Sequence, residues 1–276
     1  MVIGTRRFTS GYFRITASPF AYLIVVAIFA VPALAQTPQA IERELVNHVK
    51  AIKKYARENT PDAATSLDSE NDALKAKLVK YGRLASVLKY PFNELKKQIY
   101  VATSKDGKFR IYSWDTETGG TMHFFENVFQ FQGAGGKVFS KAAVLDEADA
   151  GGFYSDIFQV RSANGPVYIG RMTSILATSD FYEEVCLFRI SGTKLDNQLR
   201  LFKTKAGMQN RIGYEYDFFS VVDRKDRPIR LARFDEKTST ILIPVVIADK
   251  ASDGPGRVTN RFIKYRFDGK SFVLQK

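Results

Sequence analysis

Cysteine, histidine and tryptophan are all but missing from this 276-residue chain, which holds one, two and one of them. A single thiol, Cys186, cannot close an internal disulfide, so the fold has to rest on packing. Cys186 shares an alternating face with Phe188 and Ile190, which reads as a small buried apolar residue rather than a nucleophile. Zinc centres draw on three or four convergent His, Cys or carboxylate ligands. His48, His123 and Cys186 have no local spacing of that kind, so neither a metal nor another cofactor is expected. The Gly-x-Ser-x-Gly elbow of serine hydrolases is missing. The glycine-rich pieces at 133–136 and 151–152 lack the lysine and the following helix of a phosphate loop and read as turns. Beyond residue 35 no apolar run is long enough to span a bilayer as a helix.

Acidic residues are outnumbered, 29 against 41 lysines and arginines, for a formal net charge of +12. The first 35 residues carry Arg6, Arg7 and Arg14, no acid, an apolar run from Ala21 to Ala30, the breaker Pro32, and the small-x-small triplet Ala33 to Ala35. That order is the signature of a secretory signal peptide. The competing reading is an uncleaved anchor, for which the core is short. Removing the leader with its three arginines takes the charge from +12 to +9. The expected location is periplasmic or extracellular, where an excess of positive charge favours anionic envelope polymers over nucleic acid. Basic clusters occur at Arg224, Lys225, Arg227, Arg230 and Arg233, and at Arg257, Arg261, Lys264 and Arg266.

Residues 36–95 read as a helical hairpin that packs on a β domain C-terminal to it. Thr37 caps the first helix, with Pro38 where its missing N–H costs nothing. Ile41, Leu45, Val49 and Ile52 form its apolar stripe. The second helix is predicted to start at Ser66 or Ser69, to bury Leu74, Leu78, Tyr81, Ala85 and Leu88, and to stop at Tyr90 before Pro91.

From Ile99 the hydrophobic period becomes two. About a dozen strands follow to Leu274, with turn pairs such as Asp106-Gly107, Asn164-Gly165 and Asp268-Gly269 between them. Residues 96–276 are therefore predicted to form an antiparallel β meander, because parallel neighbours would need long crossovers. The fold class is mainly β (α+β), and a barrel or sandwich is favoured over a small propeller. Weak aromatic-x-aromatic-Asp copies at Trp114-Asp115, Tyr216-Asp217 and Phe267-Asp268 are the only hint of blades. The run Ile241 to Ile247 is apolar on both faces and needs a cover, for which the N-terminal helices are the candidate. Pro244 within it implies an edge or a bulge.

For function, the stretches 107–121 and 261–270 resemble uncharacterised exported bacterial β-rich proteins with a signal peptide, a short helical region and a strand meander. That resemblance covers residues 95–276 and implies a fold style and an envelope location, without site residues. The leading expectation is a non-enzymatic envelope protein that binds an anionic or glycan polymer or a protein partner, with Trp114, Tyr112 and Arg110 as ligand-binding candidates. The alternative is a glycan hydrolase, in which Asp115 and Glu117 act as the two carboxyls beside a Trp114 sugar platform.

Overall fold

The computed structural model describes residues 36–58, 60–146, 149–248 and 254–275. The signal-peptide assignment falls on residues outside that set. Gln36–Lys276 form one compact unit.

Helices α1 (Pro38–Tyr55), α2 (Pro61–Tyr81) and α3 (Ala85–Lys89) come first. Thr37 Oγ1 accepts from the Ala40 amide at 3.2 Å, and Thr60 Oγ1 accepts from the Ala63 amide at 3.2 Å. The second helix thus begins at Pro61 rather than at Ser66 or Ser69, because Thr60-Pro61 repeats the cap chemistry of Thr37-Pro38. It also ends earlier, at Tyr81. Gly82 comes next, pressed so close to Ser140 that an added Cβ would lie 2.4 Å from its Oγ. Ala85 is exposed as a result, while Val87 and Leu88 are buried on α3.

Fifteen strands succeed the helices among the described residues: β1 (Tyr100–Thr103), β2 (Phe109–Asp115), β3 (Phe125–Gln132), β4 (Val138–Ala142), β5 (Phe153–Ser162), β6 (Gly165–Ile175), β7 (Asp180–Ser191), β8 (Lys194–Asp196), β9 (Phe202–Thr204), β10 (Gly207–Gln209), β11 (Arg211–Asp217), β12 (Arg233–Asp235), β13 (Thr240–Ile247), β14 (Arg257–Phe267) and β15 (Phe272–Leu274). The fold is mainly β, with open antiparallel sheets and no closed barrel, in keeping with a sandwich. The first sheet runs β1-β2-β3-β4, the second β11-β7-β6-β5, and the third β10-β9-β15-β14-β13-β12. Gly107 (φ 68°) and Gly165 (φ 93°) supply the positive backbone angles of two of the tight hairpins. The meander is broken twice: β11 returns to pair with β7, and β15 inserts beside β9 in a parallel pairing.

Side-chain alternation stacks the elements as helices, first sheet, second sheet and third sheet. On β2, Tyr112 and Trp114 face the helices with Leu45, Val49, Leu74 and Leu78. Phe109 and Ile111 face the second sheet and meet Tyr168, Cys186 and Phe188. The opposite face of the second sheet, with Val167, Ile169, Val185 and Leu187, packs on Phe202, Ile241, Ile243 and Phe272 of the third. The helices therefore cover the first sheet and not β13. Ile241 and Ile243 are covered by the second sheet instead, while Leu242 stays half-buried on the outer side. A bulge falls between Pro244 and Val246, where the proline cannot donate to the ladder.

Candidate functional site

Arg110, Tyr112 and Trp114 alternate along the helix-facing side of β2, and all three are buried. The Trp114 indole N–H donates to Asn71 Oδ1 on α2 at 3.0 Å. Tyr112 donates to Gln130 Oε1 at 2.8 Å, and burial pushes its phenol above the ordinary range. Arg110 donates through Nε to Thr103 Oγ1 at 2.9 Å and through an Nη to the Val87 carbonyl at 3.0 Å, with its guanidinium 5.5 Å from the Phe92 ring centre. These side chains join the helical layer to the first sheet. Trp114 is 1% exposed, and what shows of it lies in the wall of a cleft shared with Asp115 and Glu117.

The two carboxylates of the alternative do share a cleft. Asp115 ends β2, and its Oδ1 accepts from the Glu117 amide at 2.8 Å, a local Asx turn. Its Oδ2 meets His123 Nδ1 at 2.5 Å. The loop between them folds back tightly: Thr116 donates its amide to the Phe124 carbonyl at 2.8 Å. An added Cβ at Gly119 would lie 2.0 Å from the Met122 carbonyl oxygen. Glu117 holds φ at 58°, a left-handed angle. Together with Tyr100, Lys53 of α1 and Ile175 of β6, these groups line a cleft of about 270 Å³. Burial, and then the Asp115 charge, raise the Glu117 carboxyl above its ordinary value, against the opposing pull of Lys53, His123 and Arg57. An imidazole held at Nδ1 by a carboxylate is an oriented proton acceptor or donor, and a raised carboxyl beside it is a proton source. No serine, threonine or cysteine lines this cleft to act as a nucleophile. His123 reads in sequence as an ordinary strand start. The signal pointing to its role is a histidine eight residues beyond Asp115, across a Gly-Gly loop.

The third sheet presents the other candidate surface. Direct cross-strand partners share a face, so pairing register sorts its side chains. Met208, Lys203, Val273 and Arg266 lie in one row with Thr240 and Asp235. Lys264, Leu242 and Arg233 form the next, and Phe262 pairs with Pro244 beyond it. This is the face opposite Ile241, Tyr265 and Phe272, which pack inward. Lys203, Arg233, Lys264 and Arg266 are exposed, and Asp235 is the one acid in these rows. The Arg233 guanidinium lies 5.2 Å from the Phe262 ring centre. Two other members of the 224–233 cluster are spent elsewhere: Arg230 pairs with Asp156 at 3.2 Å, and Arg227 donates to the Val222 and Asp226 carbonyls.

Among the described residues no group of three or more His, Cys, Asp or Glu is disposed to hold a metal, and no helix is long and apolar enough to cross a membrane. Set against known proteins, the chain matches no protein-family model, no curated protein and no solved structure.

Proposed function

We propose that this chain is an exported, non-enzymatic protein of the cell envelope that docks an anionic polymer on the outer face of its third sheet. The observation that carries the reading is the grid of Lys203, Arg233, Lys264 and Arg266, exposed on one face, with Asp235 the one acid in their rows among the described residues. Alternate residues on a strand lie about 7 Å apart and neighbouring strands about 4.8 Å apart. Cations on such a lattice meet the repeating charges of an extended polyanion, and the sheet fixes the backbone positions from which they extend. Met208, Leu242, Phe262 and Val273 lie between the charges and give apolar contact to a polymer backbone. Export rests on the charged leader, apolar core and Ala-x-Ala order of residues 1–35.

The test is retention on immobilised polygalacturonate or dextran sulfate, with neutral dextran as control, across a salt gradient. Retention should be strong at low salt and fall as screening shortens the reach of the charges. Lys264→Glu with Arg266→Glu should weaken it by at least about tenfold. No retention at low salt, or retention unaffected by the double reversal, overturns the proposal.

A further inference from the structure

A second cavity, of about 260 Å³, opens between the first and second sheets and is unrelated to the basic face. Its floor is expensive to build. Glu184 is almost fully buried there and pairs with the half-exposed Arg211 at 3.3 Å. Cys186 donates to Glu184 Oε1 at 3.0 Å, and Tyr182 donates to Oε2 at 3.4 Å. Ion pairs at such depth barely break even against an apolar core, so stability alone does not account for one. Burial, followed by the Glu184 charge, pushes the Cys186 thiol well up, which keeps it protonated and unreactive.

A second observation is independent of that network. Asn127 is buried and lines the same cavity. Its Nδ2 donates to the Gly152 carbonyl at 3.0 Å, yet its Oδ1 has no donor among the described residues. Leaving a buried acceptor without a donor forfeits the hydration it had in the unfolded chain. Three aromatic rings stand beside it: Phe129 and Phe188 have centroids 5.8 Å apart, and Tyr154 lies 6.2 Å and 5.9 Å from them. Asp146 and Asp149 sit on the rim, and the Arg211 charge is already answered by Glu184. Acceptors and spare negative charge thus converge in a chain that is basic overall.

We propose that this cavity binds a small primary amine, whose ammonium group donates to the Asn127 carbonyl oxygen and faces the acidic rim while its apolar part lies against Phe129, Tyr154 and Phe188. A desolvated acceptor favours a charged donor over a neutral one.

The chain has four methionines, and three of them report on separate places: Met172 lines this cavity, Met208 lies on the basic face, and Met122 sits in the loop beside the Asp115 cleft. With the chain carbon-13 labelled at its methionine methyls, butylamine, 1-butanol and butyrate are titrated in turn at fixed ionic strength. Butylamine should move the Met172 signal saturably and leave Met122 and Met208 in place, while butanol and butyrate should leave Met172 unmoved. Asn127→Leu should weaken the amine about tenfold. Asp149→Asn keeps the acceptor for the Gly151 amide and should weaken it a few-fold, deciding the matter if the first variant does not fold. A Met172 signal that ignores the amine, as a cavity holding only water would give, overturns the proposal. So does an equal response to butanol, or amine affinity untouched in both variants.

Discussion

Replacing Glu44 with Gln should flatten the acid limb of this protein's stability curve. Glu44 projects from α1 toward α2, where it takes the Lys77 ammonium, the Tyr81 hydroxyl at 2.7 Å and the Gln36 amide at 2.8 Å. Burial alone would raise its carboxyl, but the hydrogen bonds from Lys77, Tyr81 and Gln36 and the Lys77 charge outweigh it. Together they lower the pKa from 4.5 to about 2. A group whose folded-state pKa is depressed stabilises the fold above its unfolded pKa and loses that contribution as pH falls toward the folded value. The window is therefore pH 4.5 down to about 2. At about 1.36 kcal/mol per unit, the full shift would amount to roughly 3 kcal/mol. The pair is 24% exposed on the Glu44 side and 35% on the Lys77 side, so water screens it and about 1–2 kcal/mol is the expected share. Urea denaturation of the parent and Glu44→Gln chains, at steps from pH 7 to pH 2, reads this directly. The variant should be less stable at pH 7, and the two curves should converge near pH 2. Parallel curves across that window would refute the reasoning and assign the acid sensitivity to other carboxylates.

Two further substitutions test the layers. Asn71→Leu removes the acceptor of the Trp114 indole and the donor to the Thr116 carbonyl (2.9 Å), stranding both in the core; it should cost about 2–4 kcal/mol in denaturant unfolding, and a loss below about 1 kcal/mol would mean that water replaces the amide. Gly170→Ala would place a Cβ 2.9 Å from the Phe188 ring and 3.1 Å from Tyr154, crowding two core rings of the second sheet; about 1–3 kcal/mol of destabilisation is expected by thermal melting, and an unchanged melting temperature would show that these rings can shift freely.

Much of the architecture is readable because local rules and tertiary packing agree. Alternation from Ile99 onward, with glycine after Asp or Asn, marks most of the strands, since each hairpin is closed by the two or three residues at its own tip. The features that escape depend on partners far away in sequence. The parallel placement of β15 beside β9 joins residues about seventy apart, and no periodicity within either segment encodes it. The very short β8 and β10 present too few residues for a period to show. The start of α2 is legible in principle, since Thr60-Pro61 carries the same cap as Thr37-Pro38. The serines inside the helix compete as cap candidates by residue type alone, although Ser66 is occupied in donating back to the Asp62 carbonyl at 2.9 Å.

The burial of Arg110, Tyr112 and Trp114 has one cause, which lies in the layering. A strand of period two has one face that must be buried, and on β2 Phe109 and Ile111 bury theirs against the second sheet. The second face is covered too, because α1 and α2 bring a stripe of aliphatic residues onto the first sheet. Under a helical layer a polar or amphipathic side chain is kept only if its polar atom finds a partner. Each of the three does so: Trp114 with Asn71, Tyr112 with Gln130, and Arg110 with the Val87 carbonyl. At its end β2 reaches a cleft that Trp114 and Asp115 line together with Val49 and Lys53 of α1, and there the loop supplies His123. The third sheet differs because, among the described residues, no layer lies beyond it, so its outward lysines and arginines stay in water and alternation reads true. Lys203, Arg233, Lys264 and Arg266 can face a partner for the same reason that Arg110 cannot: the stack of layers ends beneath them.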